Sequence, residues 1–200
     1  MSIKKTVLNT LKLTQTSILA AVIIMMAFIP FLGYIRLGPL SATTLVIPVA
    51  IGSAVVGPGA GAVLGFVFGL TSYIQCFGLD AFGTTLNEIN PVFTLIMCFV
   101  PRILMGFLAG LIFKAVSRKS LLAGAIACSV AAPALNTVLF IGALLLFFGT
   151  SEYLQNFGNS FIAIVASLVT MNTVFELATT GVLGSVISPL IVKLEKRFKK

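Results

Sequence analysis

The chain contains no histidine and no tryptophan, and only 5 of its 200 residues are acidic. Without His, and with three cysteines (Cys76, Cys98 and Cys128) that form no CxxC pair, it lacks the makings of a zinc site. The cysteines read as small apolar helix residues. There is no GxxxxGK[ST] run, so the chain does not hydrolyse ATP by that route. HExxH and GxSxG are absent too. An integral membrane enzyme acting on lipid would need a nucleophile–base pair or a metal cluster at the interface, and neither is found. Charge is scarce: 9% of residues against roughly a quarter in an ordinary soluble domain.

What is present is hydrocarbon. Hydrophobic residues make up 58% of the chain and mean hydropathy is +1.14. Lipid, not water, is the outer solvent for such a surface. Six runs approach the ~20 apolar residues that a helix needs to cross a bilayer. They are Leu13 to Phe31, Ser41 to Val56, Gly61 to Phe77, Pro91 to Lys114, Leu121 to Phe148, and Phe161 to about Val192. The second is short, and the turn "GPGA" follows it. Polar loops are expected at Gly78 to Asn90 and after Phe148. The N-terminal run is too long for the h-region of a cleaved signal peptide. The expected fold is therefore an all-α integral membrane protein, one domain of six transmembrane helices.

The net charge of +8 belongs to topology, not to nucleic acid. Lys4, Lys5 and Lys12 precede the first span. Lys114, Arg118 and Lys119 flank the turn between spans four and five. Lys193, Lys196, Arg197, Lys199 and Lys200 form the tail. That places 11 of 13 basic residues on one side. The positive-inside rule then puts both termini in the cytoplasm, with Asp80, Glu88 and Glu152 facing outward.

Small residues mark helix contacts. Gly61, Gly65 and Gly69 recur every four residues in the third span, and Gly106 and Gly110 do so in the fourth. That spacing lets backbones approach closely, either within the bundle or against another subunit. Ser17 and Ala21 form a similar smooth stripe in the first span.

Two charges lie inside the apolar runs, Arg102 and Glu176. A charge at mid-membrane costs at least ~2.5 kcal/mol, so it must face a partner or a wet site. Arg102, Asn136 and Asn172 all fall ~15–18 Å below the outer ends of their spans at 1.5 Å per residue. Glu176 is one turn beyond Asn172 on the same face. Thr137, Thr170 and Thr173 lie nearby. Two readings stay open. One is a structural Arg102–Glu176 ion pair. The other is an outward-facing pocket for a small anion, in which guanidinium takes a carboxylate and Asn takes amides or hydroxyls.

At these residues the chain resembles a known family. "LGYIRLGPLSATTLVIPVAIGSAVVGPGAGAVLGFVFGLTS" (Leu32 to Ser72), "PRILMGFLAGLIFK" (Pro101 to Lys114), "LNTVLF" and "MNTVFE" are similar to the S components of energy-coupling factor vitamin transporters, most of all the pantothenate type. The resemblance spans nearly the whole chain. It implies a six-helix subunit that captures a vitamin, with no cofactor of its own. It implies assembly with a transmembrane T component and two ATPases that use ATP. The family's AxxxA docking motif maps onto Ser17 and Ala21, where serine departs from the pattern but stays small. The outer loops supply Tyr34, Asn87 and Asn90 as further candidates. Pantothenate carries a carboxylate, an amide and two hydroxyls, which suits Arg102, Asn136 and Asn172. Folate would want aromatic stacking, and riboflavin leaves Arg102 without a carboxylate.

Overall fold

The computed structural model describes residues 2–29, 32–36, 41–155 and 176–190. These fold into helices joined by turns, with one small ribbon. Helix α1 is Ser2–Phe28, α2 Val46–Val55, α3 Pro58–Gln75, α4 Ala81–Ile89, α5 Pro91–Val116, α6 Leu121–Phe148 and α7 Glu152–Gln155. Residues 176–190 are helical and are called α8. Strands β1 (Tyr34–Arg36) and β2 (Ser41–Thr43) pair antiparallel, with Tyr34 opposite Thr43.

Three helices among the described residues are long and apolar enough to cross a membrane: the Asn9–Phe28 part of α1, α5 and α6. Their outward faces carry bare hydrocarbon. Leu13 is 69% exposed, Val138 68% and Leu146 78%. Large apolar side chains in that number and position suit a lipid solvent.

Helix α2 differs from the sequence expectation. Its 10 residues reach only about 15 Å, half the thickness of a bilayer core. Ser41 to Thr43, expected inside that span, form β2 instead. Tyr34–Arg36 supplies a pairing edge for this segment, and Thr43, its one β-branched residue, suits an extended strand. Nearly every residue of α2 is buried, including Val46, Val49, Ala50 and Ala54. A helix that is apolar on all sides belongs at the centre of a bundle. Side chains from α1 (Ile23, Ala27), α3 (Leu64, Phe68), α5 (Met105, Ala109) and α6 (Cys128, Ala132) complete this core.

The segment Gly78 to Asn90, expected as a polar loop, contains helix α4. The Asp80 side chain caps it by accepting from the Gly83 N–H at 2.8 Å. Phe82 and Leu86, four residues apart, bury its inner face against Met97, Ile141, Leu144, Phe148 and Leu154. Two apolar anchors in nine residues are too few to stand out from a loop by periodicity.

Glycine brings α3 and α5 into backbone contact. A methyl group on Gly65 would meet the Arg102 carbonyl, one on Gly61 the Gly106 carbonyl, and one on Gly69 would come within 2.7 Å of the Cys98 carbonyl. The glycine stripe of α3 is thus spent inside the bundle, where it fixes the height of Arg102. Ser53 on α2 adds a hydrogen bond to the Gly106 carbonyl at 2.9 Å.

Candidate functional site

The site begins with a gap in a helix ladder. Pro101 has no N–H, so the Met97 carbonyl four residues earlier loses its helical partner. The next residue fills the gap: Arg102 donates from Nη1 to the Met97 oxygen at 2.6 Å. This bond bends the side chain back along α5. The guanidinium carbon then lies 4.8 Å from the Phe140 ring centroid on α6 and 5.5 Å from that of Phe68 on α3. Aromatic faces stabilise a desolvated cation. Nε of Arg102 is buried and has no hydrogen-bond partner.

Phe140 is one helical turn from Asn136, which shares its face of α6. Asn136 Nδ2 donates to Oε2 of Glu176 on α8 at 3.3 Å, and Oε1 of Glu176 accepts from the backbone N–H of Thr43 on β2 at 2.9 Å. The Asn136 carbonyl oxygen is buried without a partner. Thr43 pairs across the ribbon with Tyr34, whose hydroxyl hydrogen-bonds Ser72 on α3 at 2.9 Å. Ser72 lies one turn from Phe68. The contacts therefore run in a ring: ribbon, α3, α5, α6, α8 and back to the ribbon. Two unsatisfied polar atoms, a donor on Arg102 and an acceptor on Asn136, belong to this ring. Arg102, Asn136 and Glu176 are 9%, 6% and 5% exposed, so water does not readily serve those atoms.

Among the described residues no ion pair joins Arg102 to Glu176. The carboxylate is occupied by Thr43 and Asn136, and the guanidinium by Met97 and two rings. The structure thus brings together Arg102, Asn136, Glu176 and Tyr34. Asn90 is placed elsewhere: its side-chain oxygen accepts from the N–H groups of Val92 and Phe93, both at 3.1 Å, and caps α5. Asn87 sits on α4, with its side-chain oxygen buried and unpartnered. Asn172 lies outside the described residues. Ser17 and Ala21 are both exposed on α1, while Ala20 between them packs on the core. Candidate metal clusters of three or more His, Cys, Asp or Glu do not occur among the described residues.

Sequence reasoning missed Phe68, Phe140, Thr43, Ser72 and Met97. Only Met97 had a readable signal, namely the proline four residues later.

Residues 11–192 match the family described as "ECF transporter, substrate-specific component". The chain belongs to that family. It is the substrate-specific subunit of an ECF transporter, a transporter component and not an enzyme. Two relatives are similar over nearly their whole length. The pantothenic acid transporter PanT of Lactococcus lactis subsp. cremoris is 28% identical over 184 residues, covering 88% of this chain and 90% of the relative. The pantothenate transporter PanT of Leuconostoc mesenteroides subsp. mesenteroides is 28% identical over 197 residues, covering 92% and 94%. As a substrate-specific component with long apolar helices, the protein resides in the plasma membrane.

Proposed function

We propose that this subunit captures pantothenate. The observation that carries the reading is the pair of open polar atoms in the buried ring, a donor at Arg102 Nε and an acceptor at Asn136. Pantothenate offers a carboxylate for the first and hydroxyl or amide N–H groups for the second. The names of both relatives point the same way. In this reading the carboxylate docks on the Nε side of the guanidinium, between Phe68 and Phe140. Asn136 and Asn172 take the polar body, with Tyr34 and Asn87 near the outer opening.

The reading extends to assembly and topology. The subunit has six spans with both termini in the cytoplasm. It binds its vitamin without a cofactor and docks through Ser17 and Ala21 on a T component that carries two ATPases. The ATPases use ATP; this chain supplies selectivity. Exposure of both stripe residues on α1 supports the docking face.

The test is direct. The purified subunit should carry a small molecule whose mass in the denatured extract is that of pantothenate. Titration of the emptied protein with pantothenate should give saturable binding. An extract that yields a different vitamin, with no pantothenate binding, would sink the assignment.

A further inference from the structure

We infer that Glu176 sets the hydrogen-bond polarity of the ligand site. It holds the Asn136 amide so that only the carbonyl oxygen is left for the ligand, and the site therefore demands a hydroxyl or N–H donor at that point. The inference rests on the reading of Arg102 and Asn136 as ligand-binding residues.

An asparagine side chain has a donor end and an acceptor end, and its neighbours decide which end faces where. A carboxylate accepts only. Oε2 of Glu176 is 3.3 Å from Asn136 Nδ2, so the amide nitrogen turns toward α8. Oε1 is held by the Thr43 N–H at 2.9 Å, which keeps the carboxyl group from rotating away. Both carboxylate oxygens are thereby engaged, which makes Glu176 a positioning residue. Asn136 is left with a buried, unpartnered carbonyl oxygen. A ligand that brings a donor satisfies that oxygen. A ligand that brings only an acceptor places two oxygens together and leaves the carbonyl unpaired, a cost that a buried site converts into selectivity.

Glu176→Gln inverts this logic. The backbone N–H of Thr43 still needs an acceptor, so the Gln oxygen turns toward it. The Gln nitrogen then faces Asn136, which must rotate to offer its own oxygen to α8. The Asn136 nitrogen now points at the ligand, and the site prefers an acceptor.

The experiment uses calorimetric titration of the full-length subunit with pantothenate and three analogues. In one the secondary hydroxyl is a ketone, in the second the terminal hydroxyl is a methyl ether, and in the third the amide nitrogen is methylated. The ketone and the ether each replace a donor by an acceptor, and the methylated amide loses its donor without gaining an acceptor at nitrogen. In the wild type one analogue should bind about tenfold or more weakly than pantothenate. That penalty should vanish in Asn136→Ala, whose affinity for pantothenate is itself lower. In Glu176→Gln the same analogue should match or exceed pantothenate if it is the ketone or the ether, and should lose its relative penalty if it is the N-methyl amide, since neither ligand then offers an acceptor at that nitrogen. The inference is overturned if the penalty persists in Asn136→Ala, if no analogue is penalised, or if Glu176→Gln keeps the wild-type order of affinities. Should Glu176→Gln fail to fold, the comparison of wild type with Asn136→Ala decides the matter. Absence of pantothenate binding to the folded wild type is a different failure: it overturns the functional reading and takes this inference with it.

Discussion

Arg102 donates from Nη1 to the carbonyl of Met97, the one carbonyl that Pro101 deprives of its place in the α5 ladder. A helix break and a buried charge thus answer each other. The proline creates an unsatisfied acceptor inside the bundle, and the adjacent guanidinium spends one of its five donors on it. What remains of the guanidinium is aimed by that bond and by two aromatic faces.

Replacing Pro101 by alanine tests this coupling. The new N–H competes with Arg102 for the Met97 oxygen along the helix axis. Helix stability should hold or rise, since proline in a helix interior costs ~3 kcal/mol relative to alanine. Ligand affinity should nevertheless fall several-fold, because the guanidinium loses its anchor. Circular dichroism and titration on the same sample check both halves. Unchanged affinity would show that Phe68 and Phe140 alone hold the group.

The contact of α3 with α5 makes a second prediction. Gly65→Ala drives a methyl group into the Arg102 carbonyl, and neither backbone can yield cheaply. A loss of about 1–3 kcal/mol is expected, read as a lower melting temperature in detergent. Gly142→Ala on α6 is the control: nothing lies within 4 Å of its added methyl group. It should be neutral or slightly stabilising. Equal destabilisation by both would mean that the close approach is not what the glycine of α3 is for.

Docking gives the third. Ala21 is exposed on α1, beside Ala20, which packs on the core. Ala21→Trp should leave pantothenate binding by the isolated subunit intact and abolish most ATP-driven uptake in cells that supply the T component and ATPases. Parallel loss of binding and uptake would assign Ala21 to the subunit's own fold.

The sequence announced the membrane and the charged residues that matter in it. The apolar runs follow from lipid solvation and were open to reading at once. Arg102, Asn136 and Glu176 stood out because polar groups are costly in hydrocarbon. Their pairing was not legible. Glu176 is bonded to the backbone of Thr43, 133 residues away, and a backbone N–H leaves no trace in the residue type. The ribbon that presents Thr43 hides in a run that is apolar enough to pass for helix. Phe68 and Phe140 were invisible for a different reason: among 17 phenylalanines in lipid-like stretches, composition does not distinguish those turned inward. Asn90 illustrates the reverse, a polar candidate whose oxygen is committed to a helix cap away from the site.

The fourth prediction concerns the charge itself. Arg102→Lys keeps the positive charge but loses the planar fork, and an ammonium group cannot reach Met97 and a carboxylate together as guanidinium does. Hydrogen bonds to a charged group are worth ~1.5–3 kcal/mol, and each 1.4 kcal/mol is about tenfold in affinity. Pantothenate should therefore bind Arg102→Lys at least about tenfold more weakly, with the protein still folded by its melting curve. A lower affinity alone would not separate a lost ligand contact from a distorted site. The primary amide of pantothenate does so. It has the same polar body without the negative charge, so the wild type should bind it poorly. In Arg102→Lys the gap between acid and amide should narrow, because the group that tells them apart has gone. A merely distorted site would weaken both ligands alike and preserve the gap. If the wild type binds the amide as tightly as the acid, Arg102 does not read a carboxylate, and a neutral vitamin becomes the better fit to this site.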